Sequence, residues 1–233
     1  MASALSHRPT FIRCNARSAD ITATVNCLNS LGADIKFVDG GISVKPIKEK
    51  RKSAVLDCNE SGSTIRFLLP VAAALGTNTE FTGGGRLPER PLSPLREQME
   101  AHGVVFSPIN VFPVKINGEM TSGEFTIKGN ISSQFITGLL VALPLLNGNS
   151  IINVIPPVES RPYIDMTLNT LKKFGITVTE KGNSFFIPGG QKYASPGTVE
   201  SEGDWSNSAF FLTAGAVSGR VTVTGLDVSS VPG

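Results

Sequence analysis

The sequence predicts a mixed α/β (α+β) fold: one globe of three similar units of about seventy residues each, arranged with pseudo-threefold symmetry around buried apolar helices. Three observations predict it. Helix-stopping glycines recur in register: Gly32, Gly103 and Gly175 lie 71 and 72 residues apart, and Gly76, Gly148 and Gly219 lie 72 and 71 apart. Each unit carries one amphipathic helix and one almost wholly apolar helix, and an apolar helix must be covered on every side. Between the helices lie short β-prone runs bounded by glycine, proline and asparagine.

The elements follow in order. Residues 1–7 look like the tail of a helix without its beginning, and 1–8 are expected to fray. A short strand is expected at 10–13. Ser18 and Asp20 cap a helix with Ile21, Val25, Leu28 and Leu31 at helical spacing. Runs at 35–38 and 42–44 flank Asp39-Gly40-Gly41 as a hairpin, and 54–58 is a further strand. Glu60-Ser61-Gly62-Ser63-Thr64 opens an apolar helix at 65–75. The second unit repeats this order. Arg90-Pro91 opens a helix at 92–101, strands follow at 104–106, 111–116 and 124–128, and Ser132-Ser133 opens an apolar helix from 135 to 146. In the third, Arg161-Pro162-Tyr163 opens a helix at 164–174, and Gly203-Asp204-Trp205-Ser206 opens an apolar helix at 209–217. This divides a single domain, 1–233, into repeats of approximately 10–76, 77–148 and 149–219.

Composition narrows the function. A chain of 233 residues, 40% hydrophobic, is long enough for a substantial core. A formal net charge of +2 does not suggest nucleic acid. The densest basic run, Lys45, Lys48, Lys50, Arg51 and Lys52, reads as a solvated loop. No apolar stretch reaches membrane-spanning length and no signal-peptide core is present, so a cytoplasmic protein with no membrane partner is expected. Cys14, Cys27 and Cys58 have no CxxC spacing and read as reduced thiols. His7 and His102 form no metal motif, and neither metal nor cofactor is expected.

The stretch Gly129-Asn130-Ile131-Ser132-Ser133-Gln134-Phe135 carries the chemistry. It reads as a turn followed by a helix N-terminus, where free N–H groups, the dipole and serine hydroxyls suit a phosphate dianion. On this stretch alone the commoner use of serine, as an N-cap only, is the favoured reading for Ser132 or Ser133. Ser61-Gly62-Ser63 and Asp204-Trp205-Ser206 open the other two apolar helices, so three positive helix ends are expected on one face. Asp204, a carboxylate, is expected to cap its own helix.

Taken together, Glu60-Ser61-Gly62-Ser63-Thr64-Ile65-Arg66, Leu87-Pro88-Glu89-Arg90-Pro91, Ser132-Ser133-Gln134-Phe135, Glu159-Ser160-Arg161-Pro162-Tyr163-Ile164-Asp165 and Glu202-Gly203-Asp204-Trp205-Ser206 resemble the N-terminal domain of the EPSP synthase (3-phosphoshikimate 1-carboxyvinyltransferase) family of enolpyruvyl transferases. The resemblance implies two similar globes, each of three βαβαββ units. It also implies transfer of the enolpyruvyl group of phosphoenolpyruvate to shikimate 3-phosphate, in the shikimate pathway of aromatic amino acid biosynthesis. It implies that Ser132, Ser133 and Ser160 bind shikimate 3-phosphate, that Gln134 touches both substrates, and that Gly62 and Arg90 contact phosphoenolpyruvate. Tyr163 would either wall the ring site or pack in the core. Arg66, one turn into a buried helix, is expected to pair with another group, and Trp205 to pack.

The chain also departs from the family pattern. The opening strand, most of the first helix and their Lys-Ser…Arg segment are missing, and Ser6 and Arg8 are not assigned to that role. The second globe, with the acid/base carboxylates, is missing too. No catalytic residue is therefore expected in this chain, and it is expected to be inactive alone, with that globe as its partner. The sister transferase acting on UDP-N-acetylglucosamine carries a cysteine in the loop before its Arg-Pro, and residues 83–89 have none. A non-catalytic phosphosugar-binding domain on the same repeat is the alternative from another class.

Overall fold

A computed structural model describes residues 1–14, 16–108 and 112–226. Strand β1 (Thr10–Arg13) leads into helix α1 (Ala19–Ser30), whose N-cap Ser18 accepts from the Ile21 amide. The Asp39-Gly40 turn joins β2 (Asp34–Val38) to β3 (Gly41–Lys45). Then come β4 (Ser53–Asp57), α2 (Gly62–Leu75), β5 (Asn78–Thr82), α3 (Leu95–Ala101), β6 (Val105–Ser107) and β7 (Val114–Asn117). The next group is β8 (Glu124–Lys128), α4 (Ser133–Ala142), β9 (Ser150–Ile155), α5 (Arg161–Lys173), β10 (Thr179–Lys181) and β11 (Ser184–Ile187). β12 (Thr198–Glu200) and α6 (Trp205–Ser218) come last.

The described strands form three four-stranded sheets with one shared topology, as the α/β repeat class predicts. In each, the first two strands are parallel and the remaining neighbours antiparallel. The orders are β4-β5-β7-β6, β8-β9-β11-β10 and β12-β1-β3-β2. Strands alternate between a core face and an exposed face, as in β8, where Phe125 and Ile127 are buried between exposed neighbours. Helices α2 and α4 are the crossovers of β4–α2–β5 and β8–α4–β9 and pack against each other at the centre. Their Leu68, Leu69, Phe135, Ile136 and Leu139 are fully buried. The helices meet at Gly138, where a Cβ would lie 2.5 Å from the Arg66 carbonyl oxygen and 2.9 Å from Pro70 Cγ. Only glycine allows that approach.

The structure corrects several expectations. Helix α6 is not a buried third helix: Phe210 is 77% exposed, Phe211 63% and Val217 82%. The reason is topological. Helices α2 and α4 each connect two paired parallel strands and are held on a sheet at both ends. β12 instead pairs with β1, from the start of the chain, so α6 leaves the sheet rather than crossing it. Residues 1–6 are packed against the body, where a ragged end is expected from the sequence. Ala2, Ser3, Ala4 and Ser6 are buried, and Ser6 bridges to Tyr193. Helix α3 begins at Leu95 rather than residue 92, because the residue before Pro94 is disfavoured in helical geometry. Helix α4 stops at Ala142, well before Gly148, because Pro144 has no N–H to continue it. The strand expected at 111–116 lies at Val114–Asn117, and Val111 is outside the described residues.

Cys27 and Cys58 are buried free thiols, and Cys14 is a free thiol with partial exposure. Residues 48–52 are exposed, as a solvated loop would be. No helix among the described residues is long and apolar enough to cross a membrane.

Candidate functional site

The N-terminus of α4 forms one wall of a cleft of about 670 Å³. Ser132 is the N-cap, its Oγ accepting from the Gln134 amide at 3.3 Å. The capping reading is therefore correct for Ser132. Ser133, the first helical residue, lines the cleft with its hydroxyl unpaired among the described residues.

A second wall comes from the start of α5. The segment after β9 is tied to the Gly129 turn by two backbone bonds, from the Gly129 amide to the Ile155 carbonyl (2.9 Å) and from the Glu159 amide to the Gly129 carbonyl (3.1 Å). A Cβ on Gly129 would lie 2.9 Å from the Pro157 carbonyl oxygen, so glycine is what lets the two loops touch. This closeness brings Ser160 beside the α4 terminus. Ser160 holds the left-handed conformation, φ 56° and ψ 35°, and its hydroxyl makes no capping bond. A non-glycine residue in that region is under backbone strain, a feature that concentrates at functional sites. Tyr163 lies on the cleft wall and is 46% exposed, so core packing does not describe it. Thr137 bonds Thr167 at 2.8 Å, and Thr167 donates to the Tyr163 carbonyl, joining α4 to α5 along the cleft.

The third wall is α2. Its N-cap Ser61 accepts from Thr64, and Ser63 and Arg66 line the cleft. Arg66 donates through Nη1 to Gln134 Oε1 at 2.8 Å and through Nη2 to the Pro91 carbonyl at 3.2 Å. Arg90 lies over Gly62: a Cβ there would be 2.5 Å from Arg90 Nη1. Burial, and next the charge of Arg90, lower the pKa of Arg66 below the usual guanidinium value. Two guanidinium groups held close enough to oppose each other form a site that an anion would relieve.

Five expected site residues, Ser132, Ser133, Gln134, Ser160 and Tyr163, thus line one cleft. Gly62 and Arg90 sit at its flank. Arg90 lines a smaller adjoining cavity of about 250 Å³ with Pro91 and Arg96, and Arg66 bridges the two. The third helix end on this face is that of α5, not that of α6. Asp204 caps α6 by accepting from Asn207, as expected, and does not line the cleft. Ser6 and Arg8 are occupied structurally, Ser6 with the Ser3 carbonyl and Arg8 with the Ser195 carbonyl. Sequence reasoning placed Ser63 at one of the three helix openings without a ligand role, missed Thr137 and Thr167 as cleft residues, and left the partner of Arg66 open. The available signal for Arg66 was its place one turn after Gly62, on the same side of α2.

The repeat body is that of an α/β protein whose cleft is lined by helix N-termini, serine hydroxyls and a guanidinium group. Comparison with known proteins gives the family. The chain belongs to the EPSP synthase (3-phosphoshikimate 1-carboxyvinyltransferase) family, whose sequence model matches residues 1–233. It is 39% identical over 236 residues to a 3-phosphoshikimate 1-carboxyvinyltransferase of Brachyspira hyodysenteriae, covering 100% of this chain and 56% of the relative. It is 40% identical over 241 residues to one of Clostridium acetobutylicum, with the same coverage. The fold matches an EPSP synthase structure from Acinetobacter baumannii with a TM-score of 0.77 at 22% identity, over 92% of this chain and 48% of that one. The chain therefore spans about half the length of the curated relatives it matches.

Proposed function

We propose that this chain forms the shikimate 3-phosphate side, and part of the phosphoenolpyruvate side, of an enolpyruvyl transferase active site. The whole enzyme would move the enolpyruvyl group of phosphoenolpyruvate onto a hydroxyl of shikimate 3-phosphate and release phosphate. The observation that carries the reading is the meeting of Ser132, Ser133, Gln134 and Ser160 in one cleft beside Arg66. Serine hydroxyls and the α4 N-terminus suit a phosphate dianion. Tyr163 offers a flat wall for a ring. Arg90, over Gly62, suits the phosphate or carboxylate of the second substrate through its planar fork of donors.

Proton transfer to the vinyl carbon and from the attacking hydroxyl needs a positioned acid and base. Among the described residues lining this cleft there is no carboxylate or histidine. In this reading those groups come from a second globe, which closes over the cleft and completes the site in a cytoplasmic enzyme. Residues 1–233 would then be one domain of three repeats. The experiment is a phosphate-release assay with both substrates. The chain alone should show no turnover, and adding the second half of a relative in trans should restore it. Turnover by the chain alone, abolished by Arg90→Ala, would place the whole chemistry here and refute the division.

A further inference from the structure

Arg66 lines the cleft, and the substrate reading gives it no ligand to bind. Arg66 rises from α2 between the two parts of the cleft. Its Nη1 reaches Gln134 on α4, and its Nη2 reaches the carbonyl of Pro91, the residue after Arg90. The guanidinium also stands 5.1 Å from the centre of the Phe135 ring. It is thus held by three neighbours, on two other segments of the chain.

The consequence for Gln134 is chemical. A guanidinium has only donors, so the amide atom that faces it must be the oxygen. The Gln134 amide is planar, so its NH₂ group is turned away from Arg66. That NH₂ has no partner among the described residues, and Gln134 lines the cleft. An amide free to rotate would have to be ordered nitrogen-first each time an anion binds. Held by Arg66, it offers donors. Arg66 itself keeps a buried Nε without a hydrogen-bond partner, so its geometry is set by the two outer nitrogens.

We infer that Arg66 is a positioning residue: it fixes the Gln134 amide with its NH₂ toward the bound anions. This rests on the reading that the cleft binds the two anionic substrates. Arg66 acts through Gln134 rather than as a further ligand.

The test is a double-mutant cycle in the full-length protein, reading KM for both substrates and kcat by phosphate release. Arg66→Met should raise both KM values, lowering kcat/KM roughly tenfold to a hundredfold, the range for removing one partner of a charged hydrogen bond. Gln134→Leu should do the same. The double variant should match Gln134→Leu within about twofold, the limit at which independent effects are told from coupled ones. Effects that multiply would overturn the inference, because Arg66 would then act without Gln134. If Arg66→Met does not fold, Arg66→Lys, which keeps the charge but loses the planar fork that reaches Gln134 and Pro91 together, takes its place in the cycle with a loss of about threefold to tenfold expected. Gln134→Glu adds a check that a purely structural role would not move. It keeps an acceptor for Arg66 but turns a carboxylate oxygen toward the substrates, so KM should rise at least as much as in Gln134→Leu. Wild-type KM values in Gln134→Glu would overturn the inferred orientation. Unchanged kinetics in Gln134→Leu would overturn the substrate reading of the cleft itself, a result distinct from multiplying effects in a cycle where Gln134→Leu is impaired.

Discussion

Replacing Gly62 by alanine should separate folding from binding. Gly62 is the first residue of α2 and its φ is not among the positive ones. Alanine should therefore suit the backbone, adding about 0.5–1 kcal/mol of stability by reducing the freedom of the unfolded chain. The new methyl carbon would stand 2.5 Å from Arg90 Nη1 and 3.3 Å from its Cδ. An ordinary contact needs about 3.5 Å, so the guanidinium must retreat by roughly 1 Å. Arg90 is a flexible side chain, so the fold should tolerate this. A ligand held by Arg90 should not. Charge-assisted hydrogen bonds contribute about 1.5–3 kcal/mol each, and losing half of one bond's alignment should cost about 0.8–1.5 kcal/mol, or roughly fourfold to twelvefold in Kd. The assays are urea unfolding of wild type and variant, and calorimetric titration of phosphoenolpyruvate in the presence of shikimate 3-phosphate with full-length protein. The expected result is a urea midpoint at or above wild type with weakened phosphoenolpyruvate binding. A variant destabilised by more than about 2 kcal/mol, or one that binds phosphoenolpyruvate as wild type does, would refute the placement of Arg90 over Gly62 as part of the site.

Two further outcomes concern the frame that holds the cleft. Gly138→Ala would press a methyl against the Arg66 carbonyl and the Pro70 ring, both rigid, and should cost about 2–3 kcal/mol in urea unfolding. A change within about 0.5 kcal/mol would mean that the two central helices do not meet there. Tyr193, whose buried hydroxyl donates to the Val141 carbonyl at 2.7 Å, should lose about 1–2 kcal/mol on replacement by phenylalanine at neutral pH. Burial raises its pKa above the usual phenol value, so its contribution is full below about pH 10 and falls as the pH rises beyond it, by up to 1.4 kcal/mol per unit. Wild type should therefore approach Tyr193→Phe in stability between about pH 10 and 11.5. A constant gap between them would contradict the buried, hydrogen-bonded phenol.

Much of this fold is written in local signals, and what is not local was not legible. Gly32, Gly76, Gly103 and Gly175 each take a positive φ just past a helix, so their spacing reports a real repeat. Apolar composition correctly placed α2 and α4 at the centre. The same composition misplaced α6, because whether a helix crosses a sheet depends on which strand its predecessor pairs with. The β12–β1 pairing joins residues nearly a whole chain apart, and nothing in either strand announces the other. Pro94 and Pro144 shifted two helix ends by the local rules already stated, so those errors were avoidable. The site was legible where it rests on helix N-termini. The α4 opening shows its serines directly. The replacement of the α6 end by the α5 end was not visible, because it depends on the Gly129 turn touching the segment before Ser160. The bond from Arg66 to Gln134, 68 positions apart, was beyond sequence reasoning for the same reason.

The central claim is that α4 and α5 present a preformed anion site. It is tested most directly by an NMR titration of shikimate 3-phosphate into the isotope-labelled chain. The serine hydroxyls and helix-end N–H groups are set by the chain's own elements, so weak binding is expected, in about the millimolar range or roughly 4 kcal/mol. Shifts should centre on Ser132, Ser133, Gln134, Ser160 and Tyr163, should weaken with added salt, and should need about fivefold more ligand in Ser133→Ala, the loss of one hydrogen bond of about 1 kcal/mol. Shifts confined to the exposed run from Lys48 to Lys52, with the serines silent, would show nonspecific charge at work and contradict the site.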